Sequence, residues 1–143
     1  MPKKNDRIVI DTNLWISFLL TNDFSKLDEI FSAKLITLLF SQALLEEFIG
    51  VAQRPKFKKY FSLKDLEKLL SQIKNVAEFI EVTSGVQICR DPKDNFLLAL
   101  AKDGAATHLI SGDKDLLDIK EFDNTKIITM TNYLLERKAL PPT

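Results

Sequence analysis

Residues 7–13 read Arg7-Ile8-Val9-Ile10-Asp11-Thr12-Asn13, an apolar run that ends at a carboxylate. Branched apolar residues in succession suit a strand buried on both faces, because side chains alternate across a sheet and neither face of this one tolerates water. Directly behind it Trp15, Ile16, Leu19 and Leu20 recur at helical spacing, so a helix is predicted over Asn13 to Leu20. A strand that feeds a helix through an acidic turn is the opening unit of a parallel α/β sheet.

The rest of the chain repeats the unit. Ser25 is a helix start for a segment running to about Ala33, and Leu35 to Phe40 is a second continuous apolar run of strand length. Ser41 then caps a helix whose apolar stripe is Leu44, Leu45, Phe48, Val51 and Ala52, ending at Arg54-Pro55. Ser62 opens the most periodic helix, with Leu63, Leu66, Leu69, Leu70, Ile73 and Val76 on one side. Phe79 to Val82 is read as the third strand, Asp91-Pro92-Lys93 as a turn, and Asn95 to Lys102 as a helix ended by Gly104. His108 to Ser111 and Lys126 to Met130 complete the strands, with a last helix near Asn132 to Lys138. Right-handed crossovers between such strands give a Rossmann-like three-layer α/β/α sandwich around a mainly parallel sheet of roughly five strands. Its core is expected to contain Ile8, Ile10, Leu38, Phe40, Leu97, Leu109 and Ile110.

Composition bounds the function. The 143 residues suit one domain spanning 1–143, and 45% hydrophobic with 28% charged residues excludes a disordered chain. Twenty basic and 20 acidic side chains cancel, so no overall positive field draws the protein onto nucleic acid, and any such affinity must be local. A single cysteine, Cys89, forms no internal disulfide, the start of the chain is too polar for a signal peptide, and no apolar run reaches membrane-span length. A cytoplasmic protein is expected.

The chemistry lies in the acids. Asp11 follows the first strand, Asp94 opens a helix, and Asp113 follows the fourth strand through Ser111-Gly112. In an open parallel sheet all three fall at the carboxyl edge, where ligands bind. Glu47 stands on the helix opened by Ser41 and reaches the same crevice if that helix packs its first half over the edge. Glu46 is turned about 100° away, so at most one of the pair joins the group. Each acid alone has a plainer reading, Asp94 as a helix cap and Asp113-Lys114-Asp115 as a polar loop. Gathered at one edge, carboxylates resist ionising together unless a cation neutralises them, which points to a divalent metal and phosphodiester hydrolysis.

In this order, Val9-Ile10-Asp11-Thr12-Asn13, Leu45-Glu46-Glu47-Phe48 leading into Arg54-Pro55-Lys56-Phe57, Asp91-Pro92-Lys93-Asp94, and Ile110-Ser111-Gly112-Asp113-Lys114-Asp115-Leu116-Leu117 resemble the PIN domain. Within that superfamily the chain is most similar to the VapC-like toxin components of toxin–antitoxin pairs, over about residues 7–135. The resemblance implies a Mg²⁺- or Mn²⁺-dependent endoribonuclease with Asp11, Glu47, Asp94 and Asp113 as metal ligands and Asp115 as a fifth acid. It makes Thr12, Asn13 and Ser111 polar supporting positions, and prefers Glu47 to Glu46 because Glu47 immediately precedes Phe48. It also implies an RNA substrate, an antitoxin partner and a homodimer, to which the apolar face of Trp15 to Leu20 would contribute.

Other features weigh less. Imidazole acid–base cleavage wants two histidines, and the one present, His108, begins a strand at the opposite edge. Cys89 has no histidine partner in the pattern and is an ordinary small residue. Arg54, Lys56 and Lys59, interleaved with Phe57, Tyr60 and Phe61, could contact RNA by phosphate pairing and stacking, or be a solvated connection over buried aromatics. Two alternatives compete. A haloacid-dehalogenase-like phosphatase would place a second aspartate two residues after Asp11, where Asn13 stands. A PIN-like module that binds without cutting would not need all four acids.

Overall fold

In the computed structural model, residues 5–21, 25–32, 35–85 and 94–139 are described. The turn expected at Asp91-Pro92-Lys93, the helix end at Ala33, and Cys89 lie outside them.

Among the described residues six strands form one sheet: β1 (Asp6–Ile10), β2 (Ile36–Phe40), β3 (Ala77–Phe79), β4 (His108–Ile110), β5 (Glu121–Phe122) and β6 (Thr125–Ile128), in the order β3-β2-β1-β4-β6-β5. Neighbours from β3 to β6 are parallel, and β5 alone runs antiparallel, against β6. The helices are α1 (Thr12–Thr21), α2 (Ser25–Ser32), α3 (Gln42–Ala52), α4 (Leu63–Val76), α5 (Asn95–Asp103), α6 (Lys114–Leu117) and α7 (Met130–Ala139). They cover the sheet on both sides, giving the expected α/β layers.

Burial on both faces explains the unbroken apolar strands. Ile8, Val9 and Ile10 are fully buried, as are Leu97, Leu109 and Ile110, and all seven expected core residues are inside. Register is fixed by Ile8↔Leu38 on one side of β1 and Ile10↔Ile110 on the other. The helix starts follow their caps. Ser41 accepts a bond from the Leu44 amide at 3.1 Å, and Ser62 and Asp65 form a reciprocal capping box at the head of α4.

Three details depart from the sequence reading. The third strand begins two residues early, because Ala77 caps α4 in extended conformation and pairs at once with Leu38, leaving no loop. The additional strand β5 is a hairpin arm returned by Asp123, whose φ of 57° is tolerated by a short polar side chain. Gly104 ends α5 with φ −88°, so it is not a left-handed cap; Ala105, at φ 51°, takes that conformation. Glycine is needed at 104 for space, since a Cβ there would lie 2.9 Å from Leu39 Cδ1 and 3.0 Å from the Leu100 carbonyl oxygen. No helix among the described residues is long and apolar enough to cross a membrane.

Candidate active site

The strand order reverses between β1 and β4, since the chain moves outward from β1 to β2 and β3 and then returns to β4 on the other side. A crevice opens at such a point beyond the carboxyl ends of the two strands. Asp11 and Ser111 are the residues that leave those ends. The Asp11 amide continues the ladder by donating to the Ile110 carbonyl at 2.9 Å.

A short polar chain joins the two strand ends. Ser111 Oγ donates to Asp11 Oδ2 at 2.7 Å, and the Asp113 amide donates to Ser111 Oγ at 2.9 Å. Asp11 Oδ1 accepts weakly from the Asn13 amide at 3.3 Å, and Asp113 Oδ1 accepts from the Asp115 amide at 3.0 Å. Ser111 is fully buried and Asp11 is 4% exposed, so the carboxylate lies inside the protein. Burial raises the Asp11 carboxyl above its ordinary range, the bonds from Ser111 and the Asn13 amide oppose that, and the Asp113 charge adds to it. Among the described residues no lysine, arginine or histidine pairs with it. Beside it Thr12 Oγ1 is buried with no hydrogen-bond partner among the described residues.

Asp113 therefore has a local task as well, as side-chain cap of α6. Asp94 stands at the N-cap position of α5 in helical conformation, and its side chain makes no cap bond there. Asp94 and Asp115 are both half-buried.

Glu47 is held through its neighbour. Phe48 is fully buried with its ring centroid 6.0 Å from that of Trp15, which also packs 5.5 Å from Phe40 and donates its indole N–H to the Ile10 carbonyl at 3.1 Å. The residue before Asp11 and the residue after Glu47 are thus tied to one indole ring. Glu46 accepts from Gln42 one turn back at 3.0 Å, whereas among the described residues no such bond engages Glu47, which is exposed. The structure brings Asp11, Ser111 and Asp113 together. It does not close Glu47 and Asp94 onto them, and among the described residues no three Asp, Glu, His or Cys side chains are grouped as a shared metal would require. The donor set nevertheless suits a hard cation: a buried carboxylate that pairs with no cation among the described residues, a second carboxylate acting on it, and a buried hydroxyl with no hydrogen-bond partner among those residues.

Arg54, Lys56 and Lys59 are all exposed around the short 3₁₀ turn Pro55–Phe57. Phe57 and Phe61 are half-buried and stack at 6.3 Å, while Tyr60 is 56% exposed, so only part of the aromatic set is structural. His108 lies at the far edge, as expected, wedged edge-on against Tyr133 at 4.9 Å. Trp15, Ile16, Phe18 and Leu19 are buried within their own chain, which corrects the expectation that this stretch forms a dimer contact, since the core already consumes its apolar face.

Two comparisons with known proteins bear on this site. The family model described as PIN domain matches residues 7–115, a span that contains every acid named above. An uncharacterized protein of Methanocaldococcus jannaschii is similar over 140 residues at 31% identity, covering 95% of this chain and 88% of the relative.

Proposed function

This chain belongs to the PIN-domain family, which points to nuclease function in general, and on that premise we propose that it is a metal-dependent endoribonuclease. The observation that carries the reading is the buried Asp11 carboxylate, on which the Asp113 charge acts and with which no cationic side chain pairs among the described residues. Such a group is costly to keep unless something binds it. Asp11, Asp113, Glu47 and Asp94 would hold Mg²⁺ or Mn²⁺, with Asp115 as a further acid and Thr12, Asn13 and Ser111 orienting the set. A divalent ion bound there supplies neutralisation of phosphoryl charge and a water of lowered pKa. The protein's own part is to fix the carboxylates: Ser111 holds Asp11 and Asp113 in register, and the Trp15–Phe48 contact sets the height of Glu47 over the edge. Arg54, Lys56 and Lys59 supply local phosphate attraction that the chain's zero net charge does not.

The finer biological reading rests on the order of the motifs. It is a cytoplasmic toxin, one domain over residues 1–143, homodimeric and held by a cognate antitoxin protein. Coexpression with the product of the adjacent reading frame tests it: suppression of toxicity and formation of a stable complex are expected, and an inert neighbour would refute the pairing. The enzymatic reading is tested with single-stranded RNA in Mn²⁺ or Mg²⁺ against EDTA. Cleavage should require the metal and be lost in Asp94→Asn and Glu47→Gln without unfolding. Cleavage that persists in excess EDTA would overturn it.

A further inference from the structure

A second feature stands one and a half helical turns beyond Glu47. Where α3 ends and α4 begins, a cavity of about 350 Å³ opens between them. Ala52, Phe61, Leu63 and Leu66 form apolar walls, and Gln53 and Lys58 stand at its polar rim. It is a half-open hollow whose size is at the lower end of the range of small-molecule pockets, with apolar walls and a few polar groups at its rim. Leu63 is 62% exposed, a large apolar side chain left at the mouth.

Charge decides what would enter. Residues 53–64 carry Arg54, Lys56, Lys58, Lys59 and Lys64 and no acid, within a chain of zero net charge. All five are exposed, and among the described residues none forms an ion pair. The nearest acid in sequence, Asp65, is tied into the capping box of α4. Lys56 and Lys59 lie over the faces of Phe57 and Tyr60, with the ammonium groups 5.1 and 5.4 Å from the ring centroids, so cations and flat apolar surface alternate along the segment. That alternation matches a single strand of nucleic acid, whose phosphates and base faces also alternate. From Gln42, where α3 leaves the carboxyl edge, to Ala52 the helix rises about 15 Å, on the order of four nucleotides of a stacked strand.

We infer that this cavity receives one unstacked base of a single-stranded RNA whose phosphate lies at the acidic edge. The inference rests on the nuclease reading above and adds that the strand is gripped by a base seated a few nucleotides from the cut, a position that duplex RNA cannot present.

The test is fluorescence anisotropy in EDTA with a short labelled single-stranded RNA and an abasic ribose-phosphate chain of equal length. The wild type should bind the RNA about 5- to 150-fold more tightly than the abasic chain, the range set by stacking of one base. Leu63→Ser, at an exposed position that keeps the Ser62 cap, and Phe61→Ala should each reduce that preference toward unity while leaving affinity for the abasic chain unchanged. Equal binding of both chains by the wild type, or an undiminished preference in Leu63→Ser, overturns the base pocket and leaves the nuclease reading intact. Absence of RNA binding at low salt together with absence of Mn²⁺-dependent cleavage overturns both. An acidic leucine-bearing peptide that binds in a Leu63-dependent way, with no preference for the base-bearing RNA, would assign the cavity to a protein partner instead.

Discussion

Replacing Asp11 by asparagine separates a structural carboxylate from one held ready for a cation. The side chain is 4% exposed, accepts 2.7 Å and 3.3 Å bonds from Ser111 Oγ and the Asn13 amide, and feels the charge of Asp113. Asparagine keeps the shape, and its oxygen can serve the Asn13 amide while its NH₂ meets Ser111 Oγ, which has a lone pair to give. Exchanging a charged for a neutral hydrogen bond costs about 1 kcal/mol. Removing a buried charge that no cation pairs with among the described residues returns as much or more, since such a charge carries a desolvation cost of several kcal/mol. Without metal the variant should therefore be at least as stable as the wild type. With Mn²⁺ at a hundred times its dissociation constant, the wild type should gain about 2.7 kcal/mol. For a chain of this size that is roughly 5–10 °C in Tm. Asp11→Asn should gain little. Thermal melts in EDTA and in a Mn²⁺ series read both quantities. A metal-free variant destabilised by more than about 1 kcal/mol, or one with the same Mn²⁺ response as the wild type, would refute the reasoning.

Other perturbations test neighbouring links. Ser111→Ala removes the donor to Asp11 and the acceptor of the Asp113 amide, and should cost about 1–3 kcal/mol in denaturant melts as well as cleavage activity. Trp15→Ala empties the centre of the aromatic cluster and should cost about 3–5 kcal/mol, with a loss of Mn²⁺ affinity as α3 loses its hold on Glu47. Burial lowers the His108 pKa, against the pull of Asp6 and Glu136, so the fold binds this proton less readily than the unfolded chain with its value of 6.5. Stability is then fully present above that value and is lost as pH falls below it toward the lowered pKa, by at most about 1.4 kcal/mol per pH unit, and His108→Gln should flatten the slope. Lys56→Glu with Lys59→Glu should weaken RNA binding and reduce its dependence on salt, and an unchanged salt slope would return these lysines to plain solvation.

The strands, caps and core of this protein were legible because each is enforced locally. Ile8 to Ile10 have no polar face to offer water, and Ser41 and Ser62 stand where a helix has unpaired amides. What could not be read depends on distant pairing. Glu121–Phe122 carries too few residues for a pattern and becomes a strand only because β6 is beside it. Ala77 enters the sheet early because Leu38 is there to pair with it, a partner 39 positions away in sequence.

The candidate site divides in the same way. Residue types and order single out the acids expected at the carboxyl edge, but Glu46 and Glu47 are adjacent and chemically identical, so no composition argument separates them. In the fold the two differ in their surroundings: Gln42 bonds Glu46 along the helix surface, and Phe48, the residue after Glu47, is buried against Trp15. Ser111 is a similar case. As a letter it is one hydroxyl in a loop; at the reversal of strand order it is a fully buried oxygen that donates to one carboxylate and accepts from the amide of another. A threonine there would keep the hydroxyl but add a methyl group inside a filled interior, where extra volume is resisted. That makes the small hydroxyl at position 111, as much as the acids it links, the residue on which the spacing of Asp11 and Asp113 depends.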